Sequence, residues 1–173
     1  MKRAIYILAL LLVILTGCSK QQKDYPNIKY SKIIKDVKWG SGVNEIKALL
    51  EDKYKLDFNK ELKQSRQNSR VLEFTGGKIE GIGTQRWGVC FTDNCLTFIM
   101  IKIESGSANE IERIFLTLKN GVDKVSFTKM SAGENEWIFS ENKDAKCTLQ
   151  LAKCKNGITM LFSSSKFIKS SQK

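Results

Sequence analysis

Ser41-Gly42-Val43-Asn44-Glu45-Ile46 is echoed by Ser105-Gly106-Ser107-Ala108-Asn109-Glu110-Ile111, and each copy precedes strands of similar type. Leu72-Glu73-Phe74-Thr75 follows the first copy, Val125-Ser126-Phe127-Thr128 follows the second, and segments centred on Trp87 and Trp137 continue the parallel. Two readings are open. The chain is a tandem of helix-then-three-or-four-strand units, residues 39–104 and 105–165, or Asn-Glu-Ile after Ser-Gly is a good helix start that occurs twice. Both separate helices from antiparallel hairpins, so the expected class is α+β, folded as one domain over residues 39–165.

The local patterns fill in that frame. Val43, Ile46, Leu50 and Tyr54 fall on one helical face, with Leu49 beside them and Ser41 as the expected N-cap. Residues 56–70 are polar and basic, and read either as a continuation of that helix or as a surface loop. Residues 71–75 read as a strand, and the glycine-rich stretch 76–83 as a hairpin connection, since it lacks the G-x-x-x-x-G-K-[ST] phosphate-loop pattern. Residues 85–91 and 95–104 form two strands across a turn at Thr92-Asp93-Asn94, and Leu96 to Ile103 is the candidate central strand because it begins apolar on both faces. Ser107 to Glu110 matches a capping box. The stripe behind it, Ile111, Ile114, Phe115, Leu118 and Val122, predicts a second helix ending at Asn120-Gly121. Short strands are expected at 124–129, 136–140, 146–153 and 158–164, the last two joined by Asn156-Gly157, ahead of a polar tail at 166–173.

The N-terminus addresses the chain. Lys2 and Arg3 precede an apolar run from Ala4 to Leu15, and Thr16-Gly17 are small residues before Cys18. This is the layout of a cleaved signal peptide, residues 1–17, and the run is shorter than the ~20 residues a spanning helix needs. Leu15-Thr16-Gly17-Cys18 resembles the lipobox of bacterial lipoproteins. The resemblance implies cleavage before Cys18 and acyl chains on it, which would hold the protein on a membrane. Ser19 after the cysteine implies the outer membrane, facing the periplasm, if the cell has two membranes. Residues 18–38 hold six lysines from Lys20 to Lys38 and the only proline, Pro26, and are expected to form a flexible basic tether spanning ~25 Å.

Export changes how charge and cysteine are read. The formal charge of +11 falls to +9 without Lys2 and Arg3, and on an exported chain this points to an envelope protein or anionic headgroups rather than nucleic acid. Four cysteines remain once Cys18 is set aside. An even number in an exported chain predicts two disulfides among Cys90, Cys95, Cys147 and Cys154, with the connectivity open. A turn-rich tetrapeptide separates Cys90 from Cys95, whereas Cys147 and Cys154 at the ends of one strand would lie ~20 Å apart, beyond bonding range. A zinc site is the other reading, but neither spacing is C-x-x-C and the chain has no histidine.

Without histidine, Ser-His and Cys-His activation are excluded. Glu110 with Glu112 and Glu134 with Glu136 read as surface charge, and Ser163-Ser164-Ser165 with Lys166 as part of a polar tail. Trp87 is expected in the core, with Trp39 and Trp137 as core or binding anchors. No enzyme activity, metal or cofactor is expected. The helix openings and helix-plus-meander units resemble the SmpA/OmlA (BamE) and beta-lactamase-inhibitor-like group of small envelope lipoproteins, which implies a non-catalytic module that binds another protein. No Gly-Pro follows the first helix, and the four cysteines fall outside that group's pattern, so no functional residue is carried over. The expected function is a lipid-anchored envelope lipoprotein that binds another envelope protein or assembly. The alternative is an inhibitor or ligand-binding lipoprotein acting on an exported hydrolase or an acidic polymer.

Overall fold

The computed structural model describes residues 23–64, 68–125, 128–140 and 146–164. Cys18, the signal segment and the polar tail lie outside the described residues.

The class is mixed α+β. An eight-stranded, wholly antiparallel sheet runs in the order β2 (Asp57–Gln64), β3 (Ser69–Thr75), β6 (Arg86–Thr92), β7 (Cys95–Glu104), β11 (Gly157–Ser164), β10 (Lys146–Cys154), β9 (Glu136–Ser140), β8 (Thr128–Gly133). The strand read as central, β7, lies in the middle beside β11, with Ile99 opposite Phe162, Ile101 opposite Met160 and Ile103 opposite Ile158. A small second sheet joins β1 (Asn27–Ile28), β4 (Lys78–Ile79) and β5 (Ile82–Gly83), with β1 parallel to β4.

Among the described residues, three helices cover one face of the large sheet. These are α1 (Tyr30–Asp36), α2 (Val43–Ala48, prolonged by a π-helical turn Leu49–Lys53) and α3 (Ala108–Asp123). Each strand turns alternate residues to that face. Trp87, Val89 and Phe91 of β6 and Leu149 and Leu151 of β10 are buried there with Ile46, Leu50, Tyr54, Ile114, Phe115 and Leu118 from the helices. Trp87 is fully buried as expected, packs near Tyr54, and donates its indole N–H to Thr84 Oγ1 at 2.8 Å and to the Gly76 carbonyl at 3.2 Å. Trp137 belongs to the core, and Trp39 is half-buried against it.

Several expectations are corrected. Ser41 does not cap α2. Gly42 holds the N-cap position, and no side chain accepts there. Ser107 does cap α3, its hydroxyl accepting from Glu110 N, while Glu110 accepts from Ser105 Oγ at 2.6 Å. Helix α3 continues past Asn120-Gly121 to Asp123. Gly121 is a packing position: an added Cβ would lie 3.1 Å from the Tyr30 ring and 3.0 Å from Glu80 Cγ. Residues 57–64, undecided between helix and loop, are the edge strand β2, whose charged side chains and bulge between Phe58 and Lys60 guard an unpaired edge. The last hairpin turns at Lys155-Asn156, one residue earlier than expected, with Gly157 opposite Cys154. Ser163 and Ser164 are buried strand residues of β11 rather than tail.

The largest correction concerns the tether. Residues from Lys23 onward belong to the fold: Ile28, Tyr30, Ile33, Ile34 and Val37 are all buried, with Tyr30 against Phe162 of β11. Lysines between these apolar positions hid a one-sided helix. Ile33→Ala is therefore expected to cost about 2–5 kcal/mol in denaturant unfolding, whereas the same change in a tether would leave the midpoint unmoved.

Candidate functional site: the helix-free face of the sheet

The opposite face carries no helix among the described residues. Its composition follows from register. One row across the strands reads Leu62, Val71, Cys90, Phe98, Ser163, Thr148, Ile138, and the next reads Lys60, Glu73, Gly88, Met100, Leu161, Gln150, Glu136. Leu62 is 47% exposed, and Val71, Phe98, Met100, Leu161 and Ile138 are half-buried. Small residues sit among these larger ones: the Met100 and Val71 side chains reach over Gly88, and the buried Ser163 and Thr148 lie opposite each other. The result is an apolar band over β2, β3, β6, β7 and β11, with Ile138 of β9 set apart from it by Thr148 and Gln150 of β10.

A polar margin flanks the band. Glu73 accepts from Asn59 Nδ2 and lies 3.7 Å from Arg86, and Gln150 donates to Glu136 at 3.1 Å. Lys60, Arg86 and Lys102 are exposed and add positive charge along one side. An apolar centre with a charged rim is the usual layout of a surface that takes a partner. Neither Phe98 nor Leu161 stood out in the sequence, because β7 and β11 are apolar on both faces and only the register tells which residues the helices leave uncovered.

Cys90, Cys95, Cys147 and Cys154, the candidate disulfide partners, are free thiols in this structure. In the β6–β7 hairpin Cys90 lies opposite Phe98 and Cys95 opposite Thr92, so the two thiols share a face without facing each other. Cys147 and Cys154 occupy the two ends of β10 on opposite faces, the separation that made their direct pairing impossible. Burial pushes the Cys90 thiol up to about 11, and it pushes the Cys147 thiol up to about 12 against the opposing pull of a hydrogen bond from Trp39. Both are neutral thiols at physiological pH and poor nucleophiles. Among the described residues, no group of three His, Cys, Asp or Glu is placed to hold a metal ion.

A second assembly fastens the N-terminal segment. Lys23 Nζ and Tyr25 Oη both donate to the Asp57 carboxylate at the start of β2, Lys78 pairs with Asp24 at 2.7 Å, and Asn27 accepts from Gly81 N at 2.8 Å. The Tyr25 ring lies so close to Gly76 that an added Cβ would fall 2.3 Å from it, and Gly76 has φ +85°, a conformation that glycine adopts without strain. The hydrogen bonds from Lys23 and then Tyr25 hold the Asp57 carboxyl below its ordinary 3.8, and the bond to Asp57 raises the Tyr25 hydroxyl above its ordinary 10.0. No protein-family model, curated protein or solved structure matches the chain.

Two measurements check these placements. In native protein the exposed Cys154 is expected to react first with a maleimide and the buried Cys147 last, as read by peptide mass mapping; equal rates would contradict the register. The clasp on Asp57 should be complete above the ordinary carboxylate range and open as pH falls through the depressed Asp57 value. At the alkaline end it should open as pH rises through the raised Tyr25 value. Tyr25 ring resonances in NMR are expected to move at both ends in the wild type and to lose the acid transition in Asp57→Asn.

Proposed function

We propose that this chain is a lipid-anchored bacterial envelope lipoprotein, attached through Cys18, that binds another envelope protein through the helix-free sheet face and performs no chemistry of its own. The apolar band carries this reading. A sheet packed on one side normally turns polar residues to water on the other, yet Val71, Phe98, Met100, Leu161 and Ile138 stand half-exposed there in two adjoining rows. Large apolar side chains held on rigid strands bind without ordering loops, which keeps the entropic cost of association low.

The tandem reading of the chain belongs with this proposal. Each of α2 and α3 precedes four strands of the large sheet that pair antiparallel in sequence order, and the two sets meet through their last strands, β7 and β11, in mirrored order. Two like units joined in this way make one continuous face twice as wide as either alone. The resemblance to the small envelope lipoproteins supports the same direction, a binding module rather than an enzyme. The lipobox supports a lipid anchor, and Ser19 after Cys18 supports an outer-membrane destination facing the periplasm in a cell with two membranes.

A second reading rests on the rim. Lys60, Arg86 and Lys102 along one side of the band favour an acidic target, which fits an inhibitor or ligand-binding lipoprotein acting on an exported hydrolase or an acidic envelope polymer.

Photo-crosslinking in living cells separates these readings. A crosslinker at Phe98 or Leu161 is expected to capture a defined protein, and one at Asn120 on the exposed side of α3 is not. Phe98→Ala with Leu161→Ala should lower capture about tenfold or more while unfolding stays cooperative. Capture that is indifferent to these residues would refute the face as the binding surface. Inhibition of a purified acidic hydrolase would select the second reading. Cys18→Ser should abolish lipid labelling; persistent labelling would place the anchor elsewhere.

A further inference from the structure

We infer that the folded domain lies against the membrane on the lysine face of α1, with the helix-free sheet face directed away from the bilayer. The inference rests on the reading of Cys18 as the lipid attachment.

Chain length sets the first limit. Residues 23–38 are too firmly folded to belong to a ~25 Å coil, because the structure fastens them from Lys23 onward. Lys23 and Tyr25 hold Asp57, Asp24 holds Lys78, Asn27 and Ile28 pair with β4, and Tyr30 N donates to Glu80 at 3.0 Å. Only the five steps from Cys18 to Lys23 remain as leash, at most about 18 Å when fully extended. A domain on so short a leash cannot turn freely above the headgroups.

The first helix after the leash then supplies the contact. Tyr30, Ile33, Ile34 and Val37 of α1 and its C-cap face the core, which leaves Lys32 and Lys35 on the outward side, with Lys29 and Lys38 exposed at the two ends. Lys29 pairs with Glu80 at 3.1 Å, and the exposed Lys32, Lys35 and Lys38, next to a lipidated cysteine, match the chemistry that anionic phospholipids recognise; a single lipid signal gains most from a second, electrostatic one. Asp36, the acid of the helix itself, is occupied by Lys53 at 2.7 Å and by the Tyr54 hydroxyl at 3.1 Å. The occupant is therefore an anionic bilayer surface.

Orientation follows from packing. Helix α1 lies on the helical side of the sheet, with Tyr30 6.2 Å from Phe162 between ring centroids. Its lysines point away from the sheet, and the band of Phe98, Met100 and Leu161 occupies the far side. A membrane on the lysine side would leave that band open to the aqueous compartment.

The test uses lipidated wild-type protein in vesicles of equal parts phosphatidylglycerol and phosphatidylcholine, with a genetically encoded fluorescent side chain at Ser31 on α1 or at Thr92 on the helix-free face. Nitroxide-headgroup lipid is expected to quench the Ser31 probe severalfold more than the Thr92 probe. The difference should vanish in pure phosphatidylcholine and at high salt. Lys32→Glu with Lys35→Glu should reduce the preference about tenfold or more, with circular dichroism confirming the fold. Equal quenching of both probes on a vesicle-bound, acylated protein would overturn the orientation while leaving the anchor intact. Mass spectrometry reads the premise separately: no acyl mass on Cys18 would overturn the anchor reading and this one together.

Discussion

The antiparallel pairing of β7 with β11 is the contact on which the rest of the molecule depends. Strands β2, β3, β6 and β7 form one half of the sheet and β8 to β11 the other, each through three antiparallel pairings. Joining them through their last strands sets Ile99, Ile101 and Ile103 against Phe162, Met160 and Ile158 across the middle of the sheet. That line of large side chains is the floor on which the helices pack. Because the pairing links residues more than fifty positions apart in sequence, its loop-closure cost is met only by the apolar area that it buries.

The same pairing creates both faces at once. In a strand every residue committed to one face assigns its neighbours to the other, so the register that buries Val89, Ile99 and Phe162 also aligns Cys90, Phe98 and Ser163 on the reverse. The reverse face carries apolar residues where solvent would favour polar ones. On the proposed reading, these side chains serve a surface that meets another molecule.

Segments that look peripheral in sequence prove structural. Lysines punctuate residues 23–38, yet Ile28, Tyr30, Ile33, Ile34 and Val37 complete the core against β11 and α3, and Lys23 and Tyr25 fasten the chain to Asp57. The sequence conceals this because a seven-residue helix is too short for its periodicity to stand out from alternating lysines. Strand β2 was hidden for a different reason. As an edge strand it carries charges where a central strand would carry valine or isoleucine, and those charges keep its open edge from pairing with other chains.

Local chemistry made the α+β class, the capping of α3 by Ser107, the central place of Leu96 to Ile103 and the burial of Trp87 legible, because each depends on residues within a few positions of one another. Tertiary structure alone decided which face of β7 and β11 the helices would cover, where Cys90, Cys95, Cys147 and Cys154 would stand, and that the lysine-rich segment would fold. Those outcomes turn on register and on contacts between distant strands, and a shift of one residue in pairing would exchange core for surface along a whole strand.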